Sequence, residues 1–255
     1  MNSPTGAPHL RRGQLIDQLR KNFQIALAIR QKAAGTPILA EQRKILRHWQ
    51  AQRLARSYAD LLALPKFALA ASFFLSELYP AHDLSSRDRE LERALPSLAK
   101  LLPQQALAAL NSAIAADALS EQLDAALALR LFAPGAETKK PRNGESSEIS
   151  LSQYGQAFRD CNNQPTRNQQ LALVIETGKT LDGIAGSRLL SAAIQMMRGP
   201  ARASGLVELQ AFLERGMSAF QALGGATEFL AIVAHREAAV IDGLFSGATD
   251  PFALP

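Results

Sequence analysis

The chain has 255 residues, of which 47% are hydrophobic and 20% are charged, and its net charge is +5. A chain of this length buries roughly 70–75% of its extended surface on folding, so it needs no disulfides or metal to be stable. Its composition is that of a globular protein and excludes the disordered, collagen-like and disulfide-stabilised classes. Cys161 is the single cysteine and has no nucleophile-and-base set beside it. The sequence shows no secretory signal and no run of about 18 apolar residues, so we expect no membrane span and a cytoplasmic protein.

The charge is distributed unevenly along the chain. Residues 1–56 contain eleven Lys and Arg against two acids, which gives +9, and the remaining 199 residues contain 17 basic and 21 acidic residues, which gives −4. A basic segment can bind nucleic acid or anionic lipid, or it can dock against the acidic body or be solvated. The sequence leaves these alternatives open.

The hydrophobic pattern is helical almost throughout. Ala and Leu dominate, β-branched residues are sparse, and no convincing apolar–polar alternation occurs, which predicts an all-α protein, a multi-helix bundle of about ten helices. Pro65 and Pro103 suit first-turn positions, and Gly224-Gly225 separates two long helices. The expected helices cover residues 14–33, 38–63, 66–79, 87–102, 104–132, 150–162, 166–183, 187–198, 201–223 and 225–246.

A polar stretch divides the helical pattern into two halves. Residues 133–148 read APGAETKKPRNGESSE and contain no apolar anchor, which is typical of a long loop or linker. We expect a flexible N-terminus at 1–13, helical halves at 14–132 and 150–255, and a polar loop or linker at 133–149. Because both halves contain long amphipathic helices that need partners, we expect them to pack as one domain; two small domains are the alternative.

Several charged residues fall where the helical period predicts burial. Asp117, Glu121 and Asp124 follow the apolar face of 104–132, and Glu237 lies within the stripe of 225–246. Removing one partner from a buried ion pair costs about 3–5 kcal/mol, so these acids are expected to meet arginines. We interpret the pattern as a buried salt-bridge network, with a polar ligand pocket or solvated charges as the alternatives.

No motif of a known catalytic or cofactor-binding class is present. No glutamate is followed three residues later by a histidine, and His9, His48, His82 and His235 are scattered, so no metal site is predicted. The phosphate-binding loop, the dinucleotide fingerprint and the Gly-x-Ser-x-Gly elbow are also missing. We therefore predict no cofactor, and catalytic residues stay unknown.

Three stretches resemble an uncharacterised family of all-helical bacterial proteins whose members read FFLxDLYG…DF…RD. The first is FFLSELY at 73–79, followed by Asp83-Leu84 and Arg87-Asp88; the others are ALSEQLD at 118–124 and residues 209–237. This chain departs from the signature at Glu77, Pro80 and Leu84. The resemblance implies an all-helical fold and carries no function. Together with the helical pattern it gives a candidate polar centre formed by Arg53, Arg56, Glu77, Arg87, Asp88, Glu121, Asp124, Arg236 and Glu237.

Three functional hypotheses follow from the sequence. The first hypothesis, which we favour over an enzyme, is that the chain is a non-enzymatic helical protein that binds a partner protein or self-associates. The second is a small-molecule-binding protein or enzyme that uses the interior acid and arginine cluster. The third and most weakly supported is nucleic-acid binding through residues 1–56.

Overall fold

A computed structural model describes residues 11–78, 85–133 and 149–253, and these residues form helices and connecting turns without a β-strand. The all-α prediction is therefore confirmed. The high content of Ala and Leu accounts for it, since these residues are among the strongest helix formers. In chain order the elements are α1 (Arg12–Ala34), α2 (Pro37–Ser57), α3 (Ala59–Ala63), α4 (Pro65–Phe73), a π-helical turn (Phe74–Leu78), α5 (Ser85–Leu101), α6 (Gln104–Leu131), α7 (Leu151–Asp160), α8 (Gln164–Ala185), α9 (Arg188–Met196), α10 (Arg198–Ala203), α11 (Val207–Leu223) and α12 (Thr227–Ser246).

The long helix α6 is the centre of the fold. It packs against α1 and α2 from its own half of the chain and against α7 and α8 from the other half. The helix α8 in turn packs on α12, and α11 packs on α4. The described helices of the two halves thus form one compact domain. The predicted polar loop lies outside the described residues except at its two ends, as does most of the predicted flexible N-terminus.

Three predicted helices are interrupted in the structure. The expected helix 38–63 breaks at Tyr58, whose ring is buried and whose hydroxyl bonds to a carboxylate, and continues as α3. The expected helix 66–79 changes from α to π geometry after Phe73. The third, expected at 201–223, is divided between α10 and α11, and Gly205 between them adopts a left-handed φ of 64° that ends α10.

Among the residues that the structure describes, three apolar clusters form the core. One surrounds Phe23 and Leu107 at the packing of α1 on α6, and a second surrounds Leu127 and Tyr154 where α6 meets α7. The third joins α4 to α12 and is centred on Phe229. Charged side chains of α6 are placed between the first two clusters, so the polar interior is enclosed by apolar packing on both sides.

The length and the hydrophobicity of a helix decide whether it can span a membrane. Among the described residues, no single helix is both long enough and apolar enough to cross one. The helices α11 and α12 are long and apolar enough only when they are taken together, and the chain bends by 103° between them.

Candidate functional site

The most buried charge described is Glu121, whose residue is 1% exposed. Its carboxylate accepts hydrogen bonds from three guanidinium groups on two other helices. Arg30 Nε on α1 lies 2.9 Å from Oε1, Arg47 Nη2 on α2 lies 2.5 Å from the same oxygen, and Arg43 Nη2 donates to Oε2. One acid on α6 therefore fixes the positions of both N-terminal helices.

Arg30 extends this network to two further acids. Its Nη1 lies 3.0 and 3.1 Å from the two carboxylate oxygens of Asp88 on α5, and its Nη2 donates to Asp117 on α6. We call the whole group the Glu121 cluster. Its members are Arg30, Arg43, Arg47, Asp88, Asp117 and Glu121. Three arginines and three acids give the cluster a formal charge of zero.

The acids of the Glu121 cluster respond differently to this environment. Burial on its own would raise the pKa of Glu121, but Arg47, Arg30 and Arg43 together hold it below its usual value. For Asp88 the loss of hydration prevails over the attraction of Arg30, so its pKa is raised. The pKa of Asp117 is raised by the same loss of hydration, with repulsion from Glu121 adding to it. Glu121 is therefore the charge that the arginines stabilise most effectively.

A second ion pair joins α2 to α12. Arg53 Nη1 and Nη2 lie 2.8 and 3.2 Å from the two carboxylate oxygens of Glu237, and the Tyr58 hydroxyl donates to Oε1 at 3.0 Å. A bidentate guanidinium–carboxylate pair is among the stronger polar contacts in proteins. This pair holds α12 against α2 where the chain turns at Tyr58.

A small cavity of about 60 Å³, lined by both apolar and polar side chains, adjoins this pair. Gln50, which donates to Asp124 at 3.0 Å, and Arg167 both line it and are 5% and 7% exposed. Within the described part of the chain, Gln50 Oε1 and Arg167 Nε have no hydrogen-bond partner. A water molecule needs roughly 10–15 Å³ of space for its centre, so the cavity accommodates a few waters or a small ligand.

The π turn carries a third cluster. Glu77 is buried and accepts from Arg87 Nη1 at 3.2 Å and from Arg215 Nε on α11 at 2.9 Å. Arg87 also lies over the ring of Phe212, 4.7 Å from its centroid. Because burial outweighs the attraction of Glu77, the pKa of Arg87 is lowered. Single π turns within helices are frequent at functional sites, and this one positions Glu77 between two arginines.

An open groove of about 420 Å³ lies beside the π turn, between α4, α9 and α11, and we call it the α4–α9–α11 groove. Leu69, Phe73 and Ile194 are among its apolar lining residues, and Arg215 lines it as well. The closeness of α4 to α11 depends on Gly216, since a Cβ there would come within 2.9 Å of Phe73 Cζ. The remaining lining residues are Ser72, Ser76, Ser191, Gln195, Arg198, Glu214, Met217, Ser218, Ala219 and Gln221.

The structure divides the predicted polar centre into separate clusters. Asp88 and Glu121 share one, Arg53 and Glu237 form another with Asp124 nearby, and Glu77 pairs with Arg87 in a third. Two other predicted members lie outside these three clusters. The Arg236 side chain is 15% exposed; it donates to Asp60 at 2.6 and 2.8 Å and to Ser57 O at 2.9 Å, and it lies over the Tyr58 ring. Arg56, by contrast, is exposed and donates to its own helix at Gln52 O, one residue before α2 ends at Ser57.

Sequence reasoning missed the arginines that complete the Glu121 cluster. Arg30, Arg43 and Arg47 belong to the basic segment 1–56, which was expected to dock against the acidic body, be solvated or bind a partner. The signal that could have identified them is their spacing. Arg43 and Arg47 are four residues apart on one helix, in phase with the buried Leu46 and Gln50.

A family model described as Domain of unknown function (DUF8198) matches residues 29–251, which include all three clusters and the groove. No curated protein and no solved structure matches the chain. Within the described residues, no three His, Cys, Asp or Glu side chains are grouped as metal ligands would be.

Proposed function

We propose that this chain, which belongs to the DUF8198 family, acts as a non-enzymatic binding protein that contacts a partner protein through the α4–α9–α11 groove. The observation that carries the proposal is a groove open to solvent that combines apolar side chains with polar and charged ones, with Leu69 59% exposed along it. Exposed apolar surfaces with polar rims are typical of protein-binding sites. We further propose that the protein works in the cytoplasm.

The interior charges support a binding role over catalysis. Each acid of the Glu121 cluster is held by at least one guanidinium group. A general acid or base must exchange its proton with a substrate at hydrogen-bonding distance. Glu121 is enclosed by α1, α2 and α6, so its interactions favour a structural role that joins these helices.

The test compares two exposed leucines. Leu69 lines the groove and Leu129 on α6 lies outside it, with 59% and 66% of their surfaces exposed. Lysine at either position should leave folding intact because both side chains are in water. Affinity capture from the source cells with quantitative mass spectrometry should show a partner that Leu69→Lys loses and Leu129→Lys retains. Light scattering shows whether that partner is a second copy.

Equal capture by the wild type and both variants would contradict the proposal. A partner lost by Leu129→Lys alone would place the contact surface on α6. The two leucine variants change hydrophobicity and charge identically, so the comparison isolates the position of the change.

A second candidate function is the binding of a very small polar ligand in the interior cavity. It is favoured by Gln50 Oε1 and Arg167 Nε, which have no partner within the described part of the chain. Native mass spectrometry of freshly purified protein should show a retained mass that the Arg167→Met variant loses. A spectrum with no mass beyond the bare chain would assign the cavity to water.

A further inference from the structure

We infer that the partner segment bound in the α4–α9–α11 groove is an acidic amphipathic helix. Its carboxylates would pair with Arg198 and Arg215, and its apolar face would cover Phe73 and Ile194. This inference rests on the proposed function, because it specifies the partner of the same groove.

The first argument is the charge at the π-turn end of the groove. Arg215 lines the groove, its side chain is 55% exposed, and it pairs with Glu77. Glu77 also binds Arg87, so two guanidinium groups share one carboxylate and the cluster has a net charge of +1. The contacts of Arg215 with Glu77 use Nε and Nη2. The positive charge of this end is therefore only partly neutralised by the chain itself.

The second argument is the charge of the elements around the groove. Residues 188–223, which form α9, α10 and α11, contain four arginines and two glutamates, a net charge of +2. Arg198 pairs with Glu214 through Nε and Nη2 at 2.6 and 3.0 Å, and its side chain is 58% exposed. Arg188 and Arg202 are exposed on the neighbouring helices. A negatively charged partner is therefore favoured both in approach and in the bound state.

The third argument is the shape and chemistry of the lining. Leu69 and Phe73 are four residues apart on α4 and so lie on one face, opposite Ile194 of α9. Met217 adds a flexible thioether that adapts to a ligand. Grooves of this kind take the apolar face of a helix through anchors at i, i+3 or i+4, and i+7. A nucleic acid backbone would leave these apolar side chains unused.

The chain itself offers a poor candidate for this acidic helix. The helix α5 contains Asp88 and Glu90, but both are buried. Asp88 is held by Arg30, and Glu90 accepts from the backbone N–H of Leu209 at 2.8 Å. Of the acids of α5, only Glu92 is exposed. One carboxylate does not supply partners for both Arg198 and Arg215, so a partner of different sequence is favoured.

The probe is a display library of short helical peptides, selected against the full chain without bias in charge. Selected peptides should have an apolar stripe flanked by Asp or Glu. Replacement of those acids by Lys should weaken binding by about tenfold or more, and added salt should weaken the acidic peptides. Leu69→Lys should abolish binding, and Arg198→Gln should weaken it several-fold. The matched control is Arg20→Gln on the exposed face of α1, which should bind as the wild type does.

The outcomes separate this inference from the proposed function. Peptides that need Leu69 but have neutral or basic flanks would overturn the inference and leave the groove as a binding site. Peptides whose affinity is unchanged in Leu69→Lys, or a selection that yields no binder, would overturn both. A labelled oligonucleotide that binds the chain and displaces the selected peptides would assign the arginines to nucleic acid and would also overturn the inference.

Discussion

Arg30 and Glu121 are 91 positions apart in the sequence, yet Arg30 Nε lies 2.9 Å from Glu121 Oε1 in the interior. This bond joins the basic first helix to the acidic body of the protein. Part of the +9 charge of residues 1–56 is therefore neutralised within the fold. Arg43, Arg47 and Arg53 are used in the same way, which weakens the argument for nucleic-acid binding through this segment.

The first prediction concerns the loss of the Glu121 charge. Glu121→Gln keeps the shape of the side chain but leaves Arg30, Arg43 and Arg47 without their shared carboxylate. Breaking a buried ion pair on one side typically costs about 3–5 kcal/mol, and we expect a loss of this size in the free energy of unfolding. Urea unfolding followed by circular dichroism measures it. The exposed Glu92→Gln on α5 should change stability by less than about 0.5 kcal/mol.

The second prediction concerns pH. The pKa of Glu121 is held below its usual 4.5, so the stability it contributes is complete above pH 4.5 and is lost as the pH falls through its lowered pKa. Burial raises the pKa of Asp88 above its usual 3.8. Its contribution is therefore complete below pH 3.8 and is lost as the pH rises through the raised pKa.

Urea unfolding over a range of pH tests these opposite signs. The stability difference between the wild type and Glu121→Gln should shrink on acidification below pH 4.5. Over the same acidification, the free energy of unfolding of the wild type should rise relative to that of Asp88→Asn. Differences that move in the same direction would show that the two acids do not experience the environments described.

The third prediction concerns the packing of α8 on α12. A Cβ at Gly178 would clash with Leu230 Cδ2, whereas nothing lies within 4 Å of one at Gly183 on the same helix. Overpacking costs about 1–3 kcal/mol, so Gly178→Ala should destabilise the protein. Gly183→Ala should instead stabilise it by up to about 1 kcal/mol, because Ala is the better helix former. If Leu230→Ala is introduced first, Gly178→Ala should cost less; an unchanged cost would rule out the contact as its cause.

The fourth prediction concerns the pair that joins α2 to α12. A double-mutant cycle with Arg53→Met and Glu237→Gln should give a coupling energy of about 1–3 kcal/mol, since both side chains are largely buried. The same cycle at Lys66 and Glu228, a pair exposed by more than half, should give less than about 1 kcal/mol. Equal coupling in the two pairs would contradict the role assigned to burial.

Much of the fold could be predicted from the sequence. Helix type and approximate ends depend on local propensity and capping, and Pro65 is the first residue of α4 as expected. Inward acids such as Glu121 and Glu237 were identified because they interrupt an apolar stripe. The π turn was not predicted, and the pairing of Glu77 with Arg215 on that turn joins residues 138 positions apart, which the helical period does not contain.

The groove was also beyond sequence reasoning. It is lined by residues of α4, α9 and α11 that are far apart in the sequence, and Gly216 of α11 allows Phe73 of α4 to approach closely. Nothing local distinguishes Leu69 or Ile194 from a core residue, since each has the spacing of an ordinary amphipathic helix. The arginine partners of Glu121 were not predicted for a related reason. Which residues pair across the fold depends on how the helices are arranged, and the helical period of the sequence carries no information on that arrangement.

Hydrogen–deuterium exchange of the full chain with and without the tightest selected peptide tests the central claim most directly. We expect slower exchange in the groove segments around residues 69–76, 191–198 and 214–221, with α1 and α2 unchanged. Protection concentrated on the basic exposed faces of α1 and α2, with the groove segments unaffected, would contradict the assignment of binding to the α4–α9–α11 groove.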